Sequence, residues 1–320
     1  MTEHLSTIVE KFPNRPEKLI IDLWNLCNFE CLHCSQSSSP YEPKDDLGLP
    51  RFKALVSDVC RYGIEEITIA GGEPTIHQNL GAFITHARTH GLKVGIISNG
   101  WKIDGQYAKK LQAWGCNEVA LSLYGDSPRT HDRITQRFRS FDRLLSAAQA
   151  IHSEGIQLRI NLIVTSLIVN RMRLVSFWKR VAEFGAYWVR VSNISPFGRA
   201  LNPIIDLAAE PNDYIKTLEF LSHCSFPFDV CMSKYYFRED EKPICRDKLG
   251  SFPAIMNDGT VHPCCVLSSF PKKCWSNEEL ETLASRSQCP HLPSEVSGFS
   301  IGCPLESVTF DHTEEFSGFD

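Results

Sequence analysis

The 320-residue chain has no apolar run of about 18 residues or more, so no stretch reads as a membrane-spanning helix. Its start, Met1-Thr-Glu-His, lacks the apolar core of a secretory signal. It lacks a cationic excess too: 33 Lys and Arg stand against 38 Asp and Glu, a net charge of −5. That leaves no broad basic footprint for nucleic acid. No solenoid-type repeat is visible, and residues 1–17 read as an arm with no separate domain expected there. The expectation is a cytoplasmic protein with neither membrane nor nucleic-acid partner. At 42% hydrophobic residues it can bury one large domain and a smaller one.

What the chain has in quantity is cysteine, 13 in all. With no secretory signal these do not read as a disulfide framework, because the cytosol keeps thiols reduced. Three lie at 27–34 and eight between Cys224 and Cys303. Cys60 and Cys116 fall between, in helical patterns, and read as small buried hydrophobes. Cys224 and Cys231 flank an aromatic segment, Phe226-Pro-Phe228, and read as packing. Two groups imply two metal sites.

The first group, Cys27-Asn-Phe-Glu-Cys31-Leu-His-Cys34, directly follows a strand-like run, Leu19–Trp24. Thiolates select iron–sulfur clusters, zinc or copper(I) over hard cations. A structural zinc site takes four ligands, and a cubane cluster normally takes four cysteines. Three local cysteines leave one position filled from afar or open to chemistry. A zinc knuckle completed by His33 or a distant cysteine fits this spacing as well as an open cluster does.

Strand and helix patterns then alternate. Strands are predicted at 18–24, 66–70, 93–97, 118–123, 157–164 and 187–192. Helices are predicted from about 52 to 62, then at 80–90, 105–114, 141–154, 171–184 and 211–221. From the second strand onward the strands read as continuous rather than alternating, as for strands buried on both faces. Six such units predict an α/β fold, a parallel sheet curled into a partial (β/α)6 barrel. Polar residues cluster where strands end: Cys27, Gly71-Gly72-Glu73-Pro74, Ser98-Asn99-Gly100, Ser122, Asn161 and Ser192-Asn193. In such folds the working residues gather on that rim. Glycines at 71 and 72 would let backbone approach a ligand closely, and Glu73 could accept a charged hydrogen bond from an ammonium group.

Cys27-x3-Cys31-x2-Cys34 after the first strand and Gly-Gly-Glu-Pro after the second resemble the radical S-adenosylmethionine (SAM) superfamily. Ser122-Leu-Tyr-Gly-Asp126, His131-Asp-Arg-Ile-Thr135, Ser140-Phe-Asp-Arg-Leu and Pro196-Phe-Gly-Arg199-Ala resemble its members with SPASM-type auxiliary clusters. The resemblance spans about 18–304. His33 departs from the aromatic residue usual before the third cysteine. The resemblance implies that Cys27, Cys31 and Cys34 hold a 4Fe–4S cluster and that SAM takes the fourth iron. Gly71, Gly72 and Glu73 would hold the methionyl amine, with Ser98, Asn99, Ser122 and Asn161 near ribose, carboxylate or adenine. It implies reductive cleavage of SAM to a 5′-deoxyadenosyl radical that abstracts a hydrogen atom. The electron would come from a flavodoxin- or ferredoxin-type donor.

The second group resembles the opening of SPASM and twitch modules. Asn257-Asp-Gly259 reads as a hairpin tip. The resemblance implies one auxiliary 4Fe–4S cluster with candidate ligands Cys245, Cys264, Cys265, Cys289 and Cys303. A zinc site using His262 or His291 is the other reading. Cys245 is alternatively a hydrogen-atom donor, as in related epimerases. The expected layout is an arm (1–17), a barrel (18–200), a linking helix and loop (201–241), a loop-rich cluster module (242–304) and an acidic tail (305–320). The expected activity is epimerisation or dehydrogenation of a peptide or sugar-like substrate. The alternatives are a peptide-crosslinking maturase or a non-catalytic iron–sulfur or zinc protein.

Overall fold

A computed structural model describes residues 9–10, 16, 18–41, 46–169, 171–192, 194, 198–202, 207–222, 224, 226–232 and 253–262. Its strands are β1 (Leu19–Asp22), β2 (Glu66–Ala70), β3 (Lys93–Ser98), β4 (Glu118–Leu123), β5 (Gln157–Ile163), β6 (Trp188–Ser192), β7 (Asp229–Met232), β8 (Ala254–Ile255) and β9 (Val261–His262). The helices are α1 (Leu49–Arg61), α2 (Leu80–Thr89), α3 (Gly105–Trp114), α4 (Pro128–Thr135), α5 (Ser140–Ser153), α6 (Arg171–Glu183) and α7 (Pro211–Ser222). One nine-stranded sheet runs in the order β7-β6-β5-β4-β3-β2-β1-β8-β9. Strands β1 to β7 pair with their neighbours in parallel, with helices as crossovers. This is the α/β, partial-barrel architecture that the six strand–helix units predict.

The sheet extends past those six strands on both sides. Strand β7 joins β6 in parallel. Short Asp229–Met232 carries too little periodicity to read in sequence. On the far side β8 pairs in parallel with β1, and β9 turns back antiparallel. The hairpin tip is where the sequence places it: Gly259, at φ 89°, donates its N–H to Met256 O at 2.8 Å. Its attachment to β1 is a tertiary event with no local signal. Helix α4 was also not predicted, although Ser127 followed by Pro128 is a helix-start pattern and Ser127 and Thr130 do form its capping box.

The inner strands are buried on both faces, as the continuous reading expects: all six residues of β4 are buried. Leu19, Ile21, Ile67, Ile69, Val94, Ile96, Val119 and Leu121 are fully buried and share one face by register. The other face carries small and polar groups. Thr68 pairs with Gly95, Gly95 with Glu118, Ala120 with Arg159 and Ser122 with Asn161. That face is also shielded, so hydropathy hides the alternation. At the N-terminal strand ends, Arg159 meets Glu118 at 3.1 Å, and Tyr187 Oη donates to Glu118 as well. This polar contact lies opposite the rim that carries the cysteines.

The aromatic segment packs as expected: Phe226 and Phe228 lie 4.8 and 5.7 Å from the Trp178 ring. Cys116 is buried, while Cys60 and Cys224 are partly buried against the core. Cys231 lies within β7 in register with Arg190. Cys245, Cys264, Cys265, Cys289, Cys303 and Asn193 lie outside the described residues.

Candidate active site

Strand β1 delivers the chain to the rim, and the cysteine loop is then pinned from three sides. Cys27 N–H donates to Ser39 O at 3.0 Å, and Leu32 N–H donates to Ile134 O of α4 at 2.9 Å. Arg199 holds the third side: its N–H donates to Cys34 O at 3.0 Å and its Nε to Cys31 O at 2.8 Å. A methyl group on the neighbouring Gly198 would lie 2.5 Å from Cys34 O. Cys27 is buried; Cys31 and Cys34 are partly exposed. Burial pushes the Cys27 thiol up to about 12, Glu73 and Cys34 add to this, and Arg199 opposes it. Cys31 is raised by burial and by its two fellow cysteines, and again Arg199 opposes. Such thiols give up their protons readily only to a strongly positive partner, as metal binding supplies.

Gly71 and Gly72 pack against this loop. A methyl on Gly71 would sit 2.5 Å from Trp24 O, and one on Gly72 would sit 2.1 Å from Leu26 O. Gly71 also has φ 114°. Gly72 N–H donates to Trp24 O at 2.7 Å and Glu73 N–H to Leu26 O at 2.9 Å. The glycines therefore seat the end of β2 under the lead-in to Cys27. This close approach is to the chain's own backbone.

The Glu73 carboxylate is buried and already engaged. Its Oε1 accepts from Thr75 N at 3.0 Å, Thr75 Oγ1 at 2.5 Å and Ser98 Oγ at 2.8 Å, and Oε2 accepts from Asn99 N at 2.7 Å. Burial raises its pKa, and these donors pull it back. Each carboxylate oxygen has about two lone-pair sites; Oε1 is saturated by its three donors, and Oε2, with one, retains room for another. Glu73 thus ties the ends of β2 and β3 together. Beyond it, Asn99 Nδ2 donates to Asn28 Oδ1 at 2.9 Å and lies 3.9 Å from Cys27 Sγ.

Ser122 and Asn161 sit side by side at the ends of β4 and β5. Asn161 Oδ1 is buried with no partner, as are Asn28 Nδ2, His33 Nδ1 and Arg199 Nη2. Orphaned buried polar atoms beside a three-cysteine loop fit a cluster and a polar cofactor there. Among the described residues, no three His, Cys, Asp or Glu side chains converge on a single ion position.

Sequence reasoning missed several supports. His33 sets its ring edge on Tyr124 at 4.2 Å, and Tyr124 stacks on His131 at 5.8 Å. His131 Nδ1 accepts the Tyr124 N–H at 3.1 Å, and burial lowers its pKa to about 4, so it stays neutral. Asp132 accepts from Arg139 N, Ser140 Oγ and Phe141 N at 2.7–2.9 Å and so fixes the start of α5. The His-Asp pair was visible in sequence as a family-like motif, but its role in holding the loop was not. Asp22, buried at the end of β1, accepts from Gln36 Nε2, and burial pushes it up to about 6. Arg199 was legible only as part of a turn.

Comparison with known proteins places this geometry. Residues 21–171 match the Radical SAM superfamily. The chain is 33% identical over 144 residues to Fe-coproporphyrin III synthase of Methanosarcina barkeri, covering 44% of this chain and 36% of that one. It is 25% identical over 256 residues to PqqA peptide cyclase of Xanthomonas oryzae, covering 78% and 68%. Streptococcus suis SuiB, solved with S-adenosylmethionine and with the precursor peptide SuiA, superposes on it. For the S-adenosylmethionine complex the TM-score is 0.67 at 16% identity, covering 85% of this chain and 65% of SuiB. Across the first curated relatives the chain spans 36% to 64% of their length. The superfamily uses a 4Fe–4S cluster and SAM, and SPASM-type relatives carry auxiliary clusters. The part of the barrel that carries Cys27, Cys31 and Cys34 on its rim is the part that the Radical SAM superfamily matches.

Proposed function

We propose that the chain is a radical SAM enzyme acting on a peptide, with epimerisation or dehydrogenation as the outcome. The observation that carries this is the three-cysteine loop at the end of β1, stitched to Gly72 and Glu73 at the end of β2. When bound, the cluster and SAM supply a radical able to take hydrogen from an unactivated carbon, chemistry that the protein orients rather than performs. Cys27, Cys31 and Cys34 would hold the cluster. Arg199 holds two of their carbonyls in place. The free lone pair of Glu73 and the orphaned Asn161 Oδ1 would meet polar groups of SAM. Ser98 and Asn99 act through Glu73, and Ser122 acts beside Asn161. The apolar wall behind the sheet keeps water from the strands.

Peptide is favoured because similarity to the peptide cyclase reaches 78% of this chain, past the matched domain, against 70% for a heme synthase. Similarity to the coproporphyrin synthase stops at 44% and supports the chemistry alone. The cyclase also favours a second reading, crosslinking of a peptide. Sugar-like substrates are the remaining class.

The auxiliary cluster and its ligands among Cys245, Cys264, Cys265, Cys289 and Cys303 belong to this proposal. So do the domain limits set out from the sequence and the role of Cys245 as ligand or hydrogen donor. The test is anaerobic reconstitution, iron counting and chromatography for 5′-deoxyadenosine under a strong reductant. Product from wild type and none from Cys31→Ala supports the reading; intact clusters with no 5′-deoxyadenosine would sink it. For Cys245→Ala, retained iron and retained 5′-deoxyadenosine with lost epimer assigns hydrogen donation. Lost iron assigns ligation.

A further inference from the structure

A basic, aromatic patch lies outside the site, on the turn between α4 and α5 and the loop after β3. Phe138 is 84% exposed at the turn's tip, the most exposed large hydrophobic among the described residues. Arg137 and Arg139 flank it. The Arg137 guanidinium lies 4.5 Å from the centre of the Trp101 ring and that of Arg143 lies 5.5 Å away. Lys102 follows Trp101, and Lys102, Arg137, Arg139 and Arg143 are all exposed. Of the acidic residues nearby, Asp142 offsets Arg139, which leaves Arg137, Arg143 and Lys102 as the cations of the patch. Asp132 is committed to the start of α5, Asp104 caps α3, and Asp142 sits 3.7 Å from Arg139. The cationic patch therefore stands out on a chain of net charge −5.

The patch is wired to the cysteine loop. The Trp101 ring meets Phe29 edge-on at 5.7 Å. Phe29 lies between Cys27 and Cys31, and its N–H points to Cys27 Sγ at 3.4 Å. Trp101 N–H donates to Asn99 Oδ1 at 3.0 Å, and Asn99 Nδ2 lies 3.9 Å from the same sulfur. Two short contact paths thus run from an exposed patch to one cysteine.

We propose that Phe138, Arg137, Arg143 and Lys102 form the docking surface for a small acidic one-electron carrier protein of the flavodoxin type. The inference rests on the radical SAM reading, which requires an outside electron. Arginine and aromatic residues are enriched where protein interfaces hold their energy. Opposite charge on the carrier would steer it to this face. One electron leaves the carrier's fully reduced flavin and enters the cluster, whose charge falls from 2+ to 1+; no atom is transferred.

The test uses the reconstituted full chain, purified flavodoxin and dithionite. Reduction by flavodoxin is followed by stopped flow, and binding of oxidised flavodoxin is measured by calorimetry. Wild-type rates should fall as salt rises. The R137E/R143E variant should lose roughly tenfold in rate and affinity, while dithionite-driven 5′-deoxyadenosine formation stays at wild-type level. Phe138→Ala, which leaves both cation–aromatic contacts in place, should weaken flavodoxin binding in the same direction. It decides the matter if charge reversal also disturbs the dithionite reaction. Salt-independent rates, unchanged variants, or a change only in the KM for a peptide substrate overturn the docking assignment. Absence of 5′-deoxyadenosine with dithionite in wild type instead removes the enzymatic reading, and calorimetry reports the docking separately.

Discussion

Gly72 and Leu26 approach so closely that a β-carbon on Gly72 would sit 2.1 Å from the Leu26 carbonyl oxygen. That oxygen also accepts the Glu73 N–H at 2.9 Å, one residue before Cys27. The end of β2 and the start of the cysteine loop are thus a single packed unit, and neither can move without the other.

Gly72→Ala should force that unit apart. The obstructing atoms are backbone, so they cannot rotate away, and overpacking of this kind costs roughly 1–3 kcal/mol or more. We expect a lower melting temperature and reduced iron per chain after reconstitution. Wild-type iron content with wild-type stability would show that the junction is more compliant than its contacts imply.

Arg199 should be sensitive even to lysine. Its side-chain Nε holds the Cys31 carbonyl, while its backbone N–H, which any variant keeps, holds that of Cys34; a flexible lysine ammonium lacks the fixed direction of the guanidinium N–H. Losing a hydrogen bond from a charged donor costs roughly 1.5–3 kcal/mol. Arg199→Lys and Arg199→Ala should release iron faster to a chelator. Arg199→Ala, which removes the charge, should also shift the cluster midpoint potential negative, since a nearby positive charge stabilises the reduced form, whereas Arg199→Lys keeps the charge and should leave the potential near wild type. A potentiometric titration that finds no shift in Arg199→Ala would count against the charge effect and leave only the clamp.

Asp22 sets a pH dependence. Its folded pKa is about 6 because burial disfavours the carboxylate, whereas an unfolded Asp titrates near ~3.9. Folding therefore favours the protonated form. The stability this provides is fully present below about pH 4 and lost as pH rises through about 6. The difference corresponds to roughly 3 kcal/mol at most at 1.36 kcal/mol per pKa unit. Asp22→Asn, which cannot ionise, should gain on wild type at pH 8 relative to pH 5 in urea denaturation. A pH-independent difference between the two proteins would contradict the assignment.

Asp132→Ala should destabilise without touching the chemistry. It removes three hydrogen bonds that start α5, a loss similar to that of a helix cap, roughly 0.5–2 kcal/mol. Activity per folded molecule should hold at a temperature well below melting. A large fall there would give the His-Asp motif a direct role in the site.

The strands and most helices were legible because each is a local pattern. Glu118–Leu123 and Gly105–Trp114 have the same limits in sequence and structure. Boundaries slipped where the signal depends on partners, as at Leu19–Asp22, whose predicted extension to Trp24 instead bends over the Gly-Gly turn. β7 and the attachment of β8 to β1 were hidden because strands of four and two residues have too little pattern to read. Polar residues on the inner face were read as interruptions of apolar strands, since shielding on both sides masks their alternation.

By itself, the sequence determined the metal chemistry on offer, because thiol spacing is a local property. It also determined that these thiols stand at a strand end beside Gly71, Gly72 and Glu73. Only the tertiary structure decided what those neighbours do. The glycines accommodate backbone, Glu73 spends most of its lone pairs on Thr75, Ser98 and Asn99, and Arg199 reaches across 168 residues to hold Cys31. Such roles depend on which distant groups arrive within hydrogen-bond reach, and residue spacing along one chain does not contain that information.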